Sequence, residues 1–207
     1  LFLDEFPEFH RDVVERLRQP LEEGKIAVSR AGHSAIFPAR FIFIAAQNPC
    51  PCGKRFDERS QCACTFQQVD KYQRKLSGPV GDRIDIHLSI PALSPEELLS
   101  RKPDATQEPI EEIRKKIELA RSLQKERFKK EGLLTNSEMN AKQTEKYCPV
   151  PLDAQDFVLQ YLKKHQLSAR SYHRCLKVAR TIADLSDSPD ITPDHIYQAV
   201  RYRIMET

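Results

Sequence analysis

The 207-residue chain lacks the long apolar runs of a membrane protein, and we expect no secretory leader at its start. No window approaches the roughly 18 to 20 uninterrupted apolar residues that a membrane span needs. Two acids follow the apolar residues 1–3 at once, which excludes a signal-peptide core. The net charge is only +3, so global charge says little about nucleic-acid binding. We therefore expect a cytoplasmic protein with a buried core.

Cysteine is scarce except in one short segment, where four of the six cysteines fall within fifteen residues. They form two close pairs, which can bring four thiolates together around one tetrahedral Zn²⁺. Four sulfur ligands leave no open position, so this metal would be structural. Unligated loop thiols or a redox pair are the alternatives. The proposed ligands are Cys50, Cys52, Cys62 and Cys64.

The sequence before residue 92 predicts mixed α and β structure. Apolar residues recur with helical spacing over residues 10–23, with Pro20 near the end of the helix or at a kink. Two short apolar runs flank residues 30–33 and favour a β-hairpin. The continuous apolar run 41–46 is typical of a strand buried on both faces of a parallel sheet. Further predicted elements are a helix at 66–76 and a half-buried strand at 84–90.

From Ser94 onward the pattern becomes helical and no further β-type run appears. We place a domain boundary near residues 92–95, which gives an α/β part, 1–92, and an all-α part, 93–207. Residues 131–151 are polar and bounded by proline, so they predict a long connection with one short helix at most. The predicted helices are 95–101, 109–130, 153–165, 168–185 and 193–205.

Polar side chains follow two of the predicted strands at the point where each strand ends. Asp4 and Glu5 follow the first apolar residues, and Asn48 follows the run 41–46. Open α/β sheets bind ligands at the carboxyl ends of their strands. There the first acid is suited to hold Mg²⁺, the second to orient water, and the amide to bond a phosphate. A solvated turn and a turn cap before Pro49 are the simpler explanations.

Arg83 lies just before the predicted strand 84–90 and just after a glycine-containing turn. The planar guanidinium stays charged and binds phosphate oxygens in pairs, which suits it to a phosphate reached across an interface. That use requires the side chain to lie on an outer surface. The alternative is a surface pair with Asp82 or Asp85, which would contribute little to stability.

Four segments, taken in order, resemble the magnesium-chelatase-like AAA+ ATPases. The closer resemblance is to the chelatase-related branch associated with competence and DNA branch migration. It spans essentially the whole chain. The segments are Leu-Phe-Leu-Asp-Glu-Phe-Pro-Glu-Phe (1–9), Ala-Ala-Gln-Asn-Pro-Cys-Pro-Cys-Gly (45–53), Leu-Ser-Gly-Pro-Val-Gly-Asp-Arg-Ile-Asp (76–85) and Leu-Ser-Ala-Arg-Ser-Tyr-His-Arg (167–174).

The resemblance implies the later part of an AAA+ core with a hairpin insertion and a zinc loop, followed by a helical lid. It makes Asp4 and Glu5 the Walker B acids and Asn48 the sensor 1 residue. Arg83 becomes an arginine finger acting on a neighbouring protomer, and Arg170 the sensor 2 arginine. It further implies ATP and Mg²⁺ as cofactors, a homo-oligomeric ring, expected to be a hexamer, and DNA as the substrate.

The phosphate-binding loop of this family is absent from the sequence. The loop requires G-x-x-x-x-G-K-[ST], whereas Gly24-Lys25 is followed by Ile26, and Gly53-Lys54 by Arg55. We therefore do not expect this chain to hydrolyse ATP alone. Two alternatives stay open, namely the motor of a porphyrin magnesium chelatase and a non-catalytic zinc-bearing interaction module. An upstream, in-frame phosphate-binding loop would favour a motor.

Overall fold

A computed structural model of the chain describes residues 1–30, 32–56, 61–75, 80–91, 108–165 and 168–203. The chain divides into two compact units. The first consists of Leu1–Ile84 and Ile90–Ala92, and the second of Asp85–Ser89 and Leu93–Thr207.

The first unit is built from short strands and helices. In chain order these are β1 (Phe2–Leu3), α1 (Arg11–Arg16), α2 (Arg18–Glu23), β2 (Lys25–Arg30), β3 (His33–Pro38), β4 (Ile44–Ala45) and α3 (Phe66–Gln73). Pro20 falls in the first turn of α2, where its missing N–H leaves no helical bond unmade. The helix predicted over residues 10–23 therefore exists as two short helices.

The predicted hairpin is confirmed. Strands β2 and β3 pair antiparallel, from Lys25 opposite Pro38 to Arg30 opposite His33, and both are exposed along their whole length. Gly24 connects α2 to β2 in the left-handed conformation, with φ of 65°. A Cβ at this position would stand 2.8 Å from Cγ of Arg40, so glycine suits the turn on both counts.

The apolar run 41–46 contributes a shorter and more exposed strand than its sequence predicts. Only β4 is paired, in parallel with β1. Ile42 is 77% exposed and Ile44 56% exposed. The expectation of burial on both faces is therefore wrong, because no described element covers these side chains.

The alternation of residues 84–90 does not produce a strand in the described segment 80–91. Leu88 and Ile90 are exposed rather than half-buried. A strand forms through hydrogen bonds to a neighbouring strand, which alternation alone cannot provide. Within the second unit, the backbone N–H of His87 instead donates to the carbonyl of Tyr202, at 2.7 Å.

The second unit is helical in its described part, as the sequence predicts. Its helices are α4 (Ile110–Arg127), α5 (Ala141–Tyr147), α6 (Leu152–Lys164), α7 (Ala169–Leu185) and α8 (Pro193–Arg201). The helix expected at 95–101 lies outside the described residues. None of the described helices combines the length and apolar content that a membrane crossing requires.

The second unit also contains the larger apolar core. Its central members come from the end of α4 and from α6, α7 and α8, and they include Phe128, Val158, Leu176, Ala179, Ala183, Ile196 and Ala199. Side-chain caps fix the starts of α7 and α5. The Ser168 hydroxyl accepts a bond from the Ser171 backbone at 3.2 Å, and the Asn140 side chain does the same for Gln143 at 2.9 Å.

Candidate functional site

The strands that precede Asp4 and Asn48 are neighbours. The Ala46 N–H donates to the Leu3 carbonyl, and the Phe6 N–H donates to the Ala46 carbonyl, both at 2.9 Å. Because β1 and β4 run parallel, the residues that follow them leave the pair at the same edge. The two strands are therefore adjacent, as a shared site requires, and the roles of Asp4, Glu5 and Asn48 stay predictions.

Glu5 adopts a conformation that is uncommon for a residue with a side chain. Its φ of 49° and ψ of 43° place it in the left-handed region. Its backbone N–H donates to Oδ1 of Asp4 at 2.9 Å. A left-handed residue other than glycine costs roughly 1 to 2 kcal/mol. Such strain concentrates at functional sites, so its presence at the predicted pair of acids supports their selection as candidates.

Tyr72 is a further residue near this edge, and the sequence did not single it out. It lies on the buried face of α3, and burial is the main cause of its raised pKa. The carboxylates of Glu8 and Glu5 also raise the pKa, whereas a hydrogen bond with the Asn48 backbone lowers it. Tyr72 therefore interacts with the backbone of Asn48, and the charge of Glu5 contributes to its raised pKa.

Arg83 does not lie on an outer surface, so that expectation is wrong. Its side chain is 6% exposed and forms an ion pair with Glu22, at the end of α2. Burial of a guanidinium requires a counter-ion, and the carboxylate supplies it. The partner was missed because it lies 61 residues earlier in the chain, and no local pattern links the two positions.

Arg170 is exposed at the start of α7 in the second unit. Its sensor role stays a prediction. One turn further along α7, Arg174 donates to Oδ1 of Asp85 at 2.6 Å. Asp85 therefore pairs within the second unit and not with Arg83, contrary to the surface-pair alternative.

The four predicted cysteine ligands converge. The sulfur of Cys50 lies 3.4 Å from that of Cys52 and 3.7 Å from that of Cys62, and Cys52 and Cys62 are 3.6 Å apart. All four ligand atoms, including that of Cys64, lie within 4.8 Å of one another. Sulfurs bound at about 2.3 Å to one tetrahedral Zn²⁺ stand about 3.8 Å apart, so this donor set fits zinc.

Local structure on both sides of the loop brings the two cysteine pairs together. Gly53 turns the chain with φ of 77°, and its N–H donates to the Cys50 carbonyl at 3.0 Å. After the second pair, Thr65 begins α3 through a capping box in which Thr65 and Gln68 bond each other's backbone N–H. Both pairs are thus fixed by local hydrogen bonds at the ends of the loop.

The thiols of the cluster differ in acidity. A bond from the backbone of Lys54 lowers the pKa of Cys52 to about 6, and bonds from Cys50 and Cys64 act in the same direction. The pKa of Cys64 is raised to about 12, first by its bond to Cys52 and then by burial. One thiolate is thus available near neutral pH, and a bound cation would displace the remaining protons.

Comparisons with known proteins match the chain to two family models. The family model described as "Magnesium chelatase, subunit ChlI" matches residues 1–98. The model described as "Magnesium chelatase, subunit ChlI C-terminal" matches residues 107–203. The two matches together cover almost the whole chain.

Relatives with curated names match along the full chain. Competence protein ComM of Haemophilus influenzae is 41% identical over 99% of the chain. Protein YifB is 38% identical in Salmonella typhimurium and 37% identical in Escherichia coli, each over 100% of the chain. In each case the chain spans 39% of the relative's length. With both family models and these relatives in agreement, the chain belongs to the magnesium-chelatase-like family.

Proposed function

We propose that the chain is part of an ATP-driven AAA+ ring motor that remodels or translocates DNA. The adjacency of β1 and β4 is the observation that carries the proposal. It delivers two acids and one amide to a single sheet edge, where α/β proteins bind nucleotides. An upstream segment that includes a G-x-x-x-x-G-K-[ST] loop would complete the site.

Each residue at this edge has a chemical task in the proposal. The exposed Asp4 carboxylate holds Mg²⁺, a cation that neutralises charge on phosphate oxygens. Glu5 accepts a hydrogen bond from the attacking water and orients it. The side-chain amide of Asn48 donates to a phosphate oxygen, while Tyr72 holds the Asn48 backbone.

Two further arginines complete the proposed machinery. Arg83 acts in trans on the nucleotide of a neighbouring protomer, which requires its release from the ion pair with Glu22. Arg170 on the lid responds to the nucleotide of its own protomer. The arrangement requires a homo-oligomeric ring, which we expect to be a hexamer. The cysteine cluster holds a structural Zn²⁺ that closes the loop between β4 and α3.

DNA is the proposed substrate because the sequence resembles the branch associated with DNA branch migration. The exposed hairpin offers Lys25 and Arg30, with His33 opposite Arg30, as groups that can meet phosphates. The description of the family models favours a second candidate, the motor of a porphyrin magnesium chelatase. The two functions differ in what stimulates the motor.

Hydrolysis tests the nucleotide site. In a protein extended upstream through the phosphate-binding loop, we expect ATP turnover per protomer to rise with protomer concentration, because a neighbouring protomer completes the site. Glu5→Gln should lower kcat by at least about 100-fold, the usual loss for a catalytic base. Glu8→Gln is the matched control, since it neutralises an exposed acid three residues later and should leave turnover unchanged. Normal turnover by Glu5→Gln would refute the assignment.

Native gels test the substrate. The extended protein should shift branched DNA, and the shift should weaken steeply as salt is raised, because binding releases counterions from phosphates. Arg30→Ala should weaken the shift, whereas Arg18→Ala, which removes a surface arginine paired with Glu15, should not. ATP turnover without any DNA binding at low salt would instead favour the chelatase motor.

A further inference from the structure

The ion pair between the buried Arg83 and the more exposed Glu22 lies within the first unit. Arg83 ends a short 3-10 turn, Gly81–Arg83, whose neighbour Val80 is 3% exposed. Nη2 of Arg83 donates to Oε2 of Glu22. The acid is 33% exposed and the guanidinium 6% exposed, so one side of the carboxylate still faces solvent.

Glu22 lies at the base of the exposed hairpin. Two residues later, Gly24 closes α2 by donating to the Pro20 carbonyl at 3.0 Å, and β2 begins at the next residue. The far end of the hairpin returns to the same point, because the Ala39 N–H donates to the Gly24 carbonyl at 2.8 Å. The end of α2 and the base of the hairpin are therefore bonded together.

A guanidinium that binds a carboxylate is equally suited to bind a phosphate, because both anions present planar or near-planar pairs of oxygen acceptors. The N–H that donates to Glu22 cannot at the same time donate fully to a phosphate. A second anion that bound through the same Nη2 would therefore compete with the carboxylate. Either anion compensates the charge of the guanidinium.

We infer that Glu22 is a positioning residue that holds Arg83 in the free protomer and yields it to a phosphate of a neighbouring protomer's nucleotide. The inference rests on the proposed function, in which Arg83 acts in trans. Exchange of the carboxylate for phosphate releases the end of α2, to which the hairpin base is bonded. The same ion pair thus couples contact with a neighbour's nucleotide to the segment that carries the hairpin.

Chemical labelling tests the first half of the inference on the chain as it is. Phenylglyoxal modifies accessible arginines, and mass spectrometry locates the product. Glu22→Gln keeps the shape of the side chain but removes its charge, and we expect Arg83 to be labelled about tenfold faster, the factor for loss of a charged hydrogen bond. Glu23→Gln is the matched control, because Glu23 accepts a bond from Gln19 and not from Arg83.

Both variants should keep the far-UV circular dichroism of the parent chain, so that any difference in labelling is local. Equal labelling of Arg83 in Glu22→Gln and Glu23→Gln would overturn the inference, since Glu22 would then not hold the guanidinium. Fast labelling of Arg83 in the parent chain would overturn it as well.

Turnover in the extended protein tests the second half. With its competitor removed, Glu22→Gln should reach half-maximal ATP turnover at about tenfold lower protomer concentration than the parent or Glu23→Gln. Arg83→Ala should abolish turnover in every background, because a trans-acting arginine contributes about 10³-fold or more.

The outcomes separate the two proposals. Turnover that survives Arg83→Ala removes Arg83 from the proposed machinery and leaves the ion pair structural. Loss of turnover in Arg83→Ala, together with parental behaviour of Glu22→Gln, keeps the proposed function and overturns the exchange. A folded Glu22→Gln that cannot hydrolyse ATP also overturns the exchange, because the carboxylate would then be needed in the active arrangement.

Discussion

Asp184 is a fully buried carboxylate that accepts four hydrogen bonds. Arg127 donates to its two oxygens at 2.5 and 2.8 Å, Asn136 donates at 2.8 Å, and Arg180 donates at 3.1 Å. Arg180 is itself 3% exposed. The single negative charge therefore compensates one buried cation, Arg180, and one partly buried cation, Arg127. Loss of that charge would leave both cations with no compensating anion in this network.

Replacement of Asp184 by asparagine should destabilise the protein by about 3 to 5 kcal/mol, the cost of breaking a buried ion pair from one side. Urea unfolding gives the free energy of unfolding of each variant. The control is Glu15→Gln, which breaks the surface pair with Arg18 and should cost under about 1 kcal/mol. Equal losses in the two variants would mean that the buried network contributes no more than a solvated pair.

Individual residues were predicted well only where a local pattern identified them. The cysteine spacing predicted the cluster because all its ligands come from one loop. The strand-end acids were selected because they directly follow an apolar run, and their roles stay predictions. Three partners were not found, since each lies far away in the sequence: Glu22 for Arg83, and Arg127 and Asn136 for Asp184. A buried arginine therefore looks the same as a surface arginine until the fold is known.

At the scale of elements, α8 begins with an unusual capping residue. The Thr192 N–H donates to Nδ1 of His195 at 3.1 Å, in the place that glutamate or glutamine commonly takes. Burial and the charge of Arg180 lower the pKa of His195, and Asp194 opposes them. The cap needs the neutral ring, because a proton on Nδ1 would remove the acceptor.

The protein should therefore lose stability as the pH falls below about 6.5, the ordinary pKa of histidine. Above that pH the ring is neutral in both states, and below it the unfolded chain takes up the proton first. His195→Gln keeps an acceptor that does not titrate, so its free energy of unfolding should change less between pH 7.5 and 5.5. His87, whose pKa burial also lowers, should supply a remaining slope. Identical pH dependence in both proteins would contradict the role of the cap.

Elements with their own local signals were predicted, and those that depend on a partner were not. Apolar spacing lies within α4, α6 and α7, and Ser168 caps the last of them, so the sequence identified these helices. The hairpin was identified because its two strands are neighbours in the chain. The segment 84–90 alternates like a strand but has no strand beside it in the described structure, so no strand forms there.

At the scale of the whole molecule, the two units are stabilised differently. The second contains a large apolar core with Phe128, Ala179 and Ile196 almost fully buried. The first buries few large side chains, and its cysteine loop contributes one of the most buried residues, Cys50. Small cores commonly need a metal or another cross-link. The cysteine cluster is therefore expected to stabilise the first unit in particular.

Metal removal tests this division. Elemental analysis should find about one zinc per chain, which Cys52→Ser should lose and Cys175→Ala, at a buried thiol of the second unit, should keep. After chelation, hydrogen exchange should quicken at the amides of Gly53 and Val69, which bond within the loop and α3. Amides of α7 and α8 should keep their protection, because the described members of the core that they pack against belong to the second unit. A metal-free protein with full protection at Gly53 would show that the cysteine loop needs no metal ion to fold. Loss of protection in α7 after chelation would show that the second unit depends on the metal.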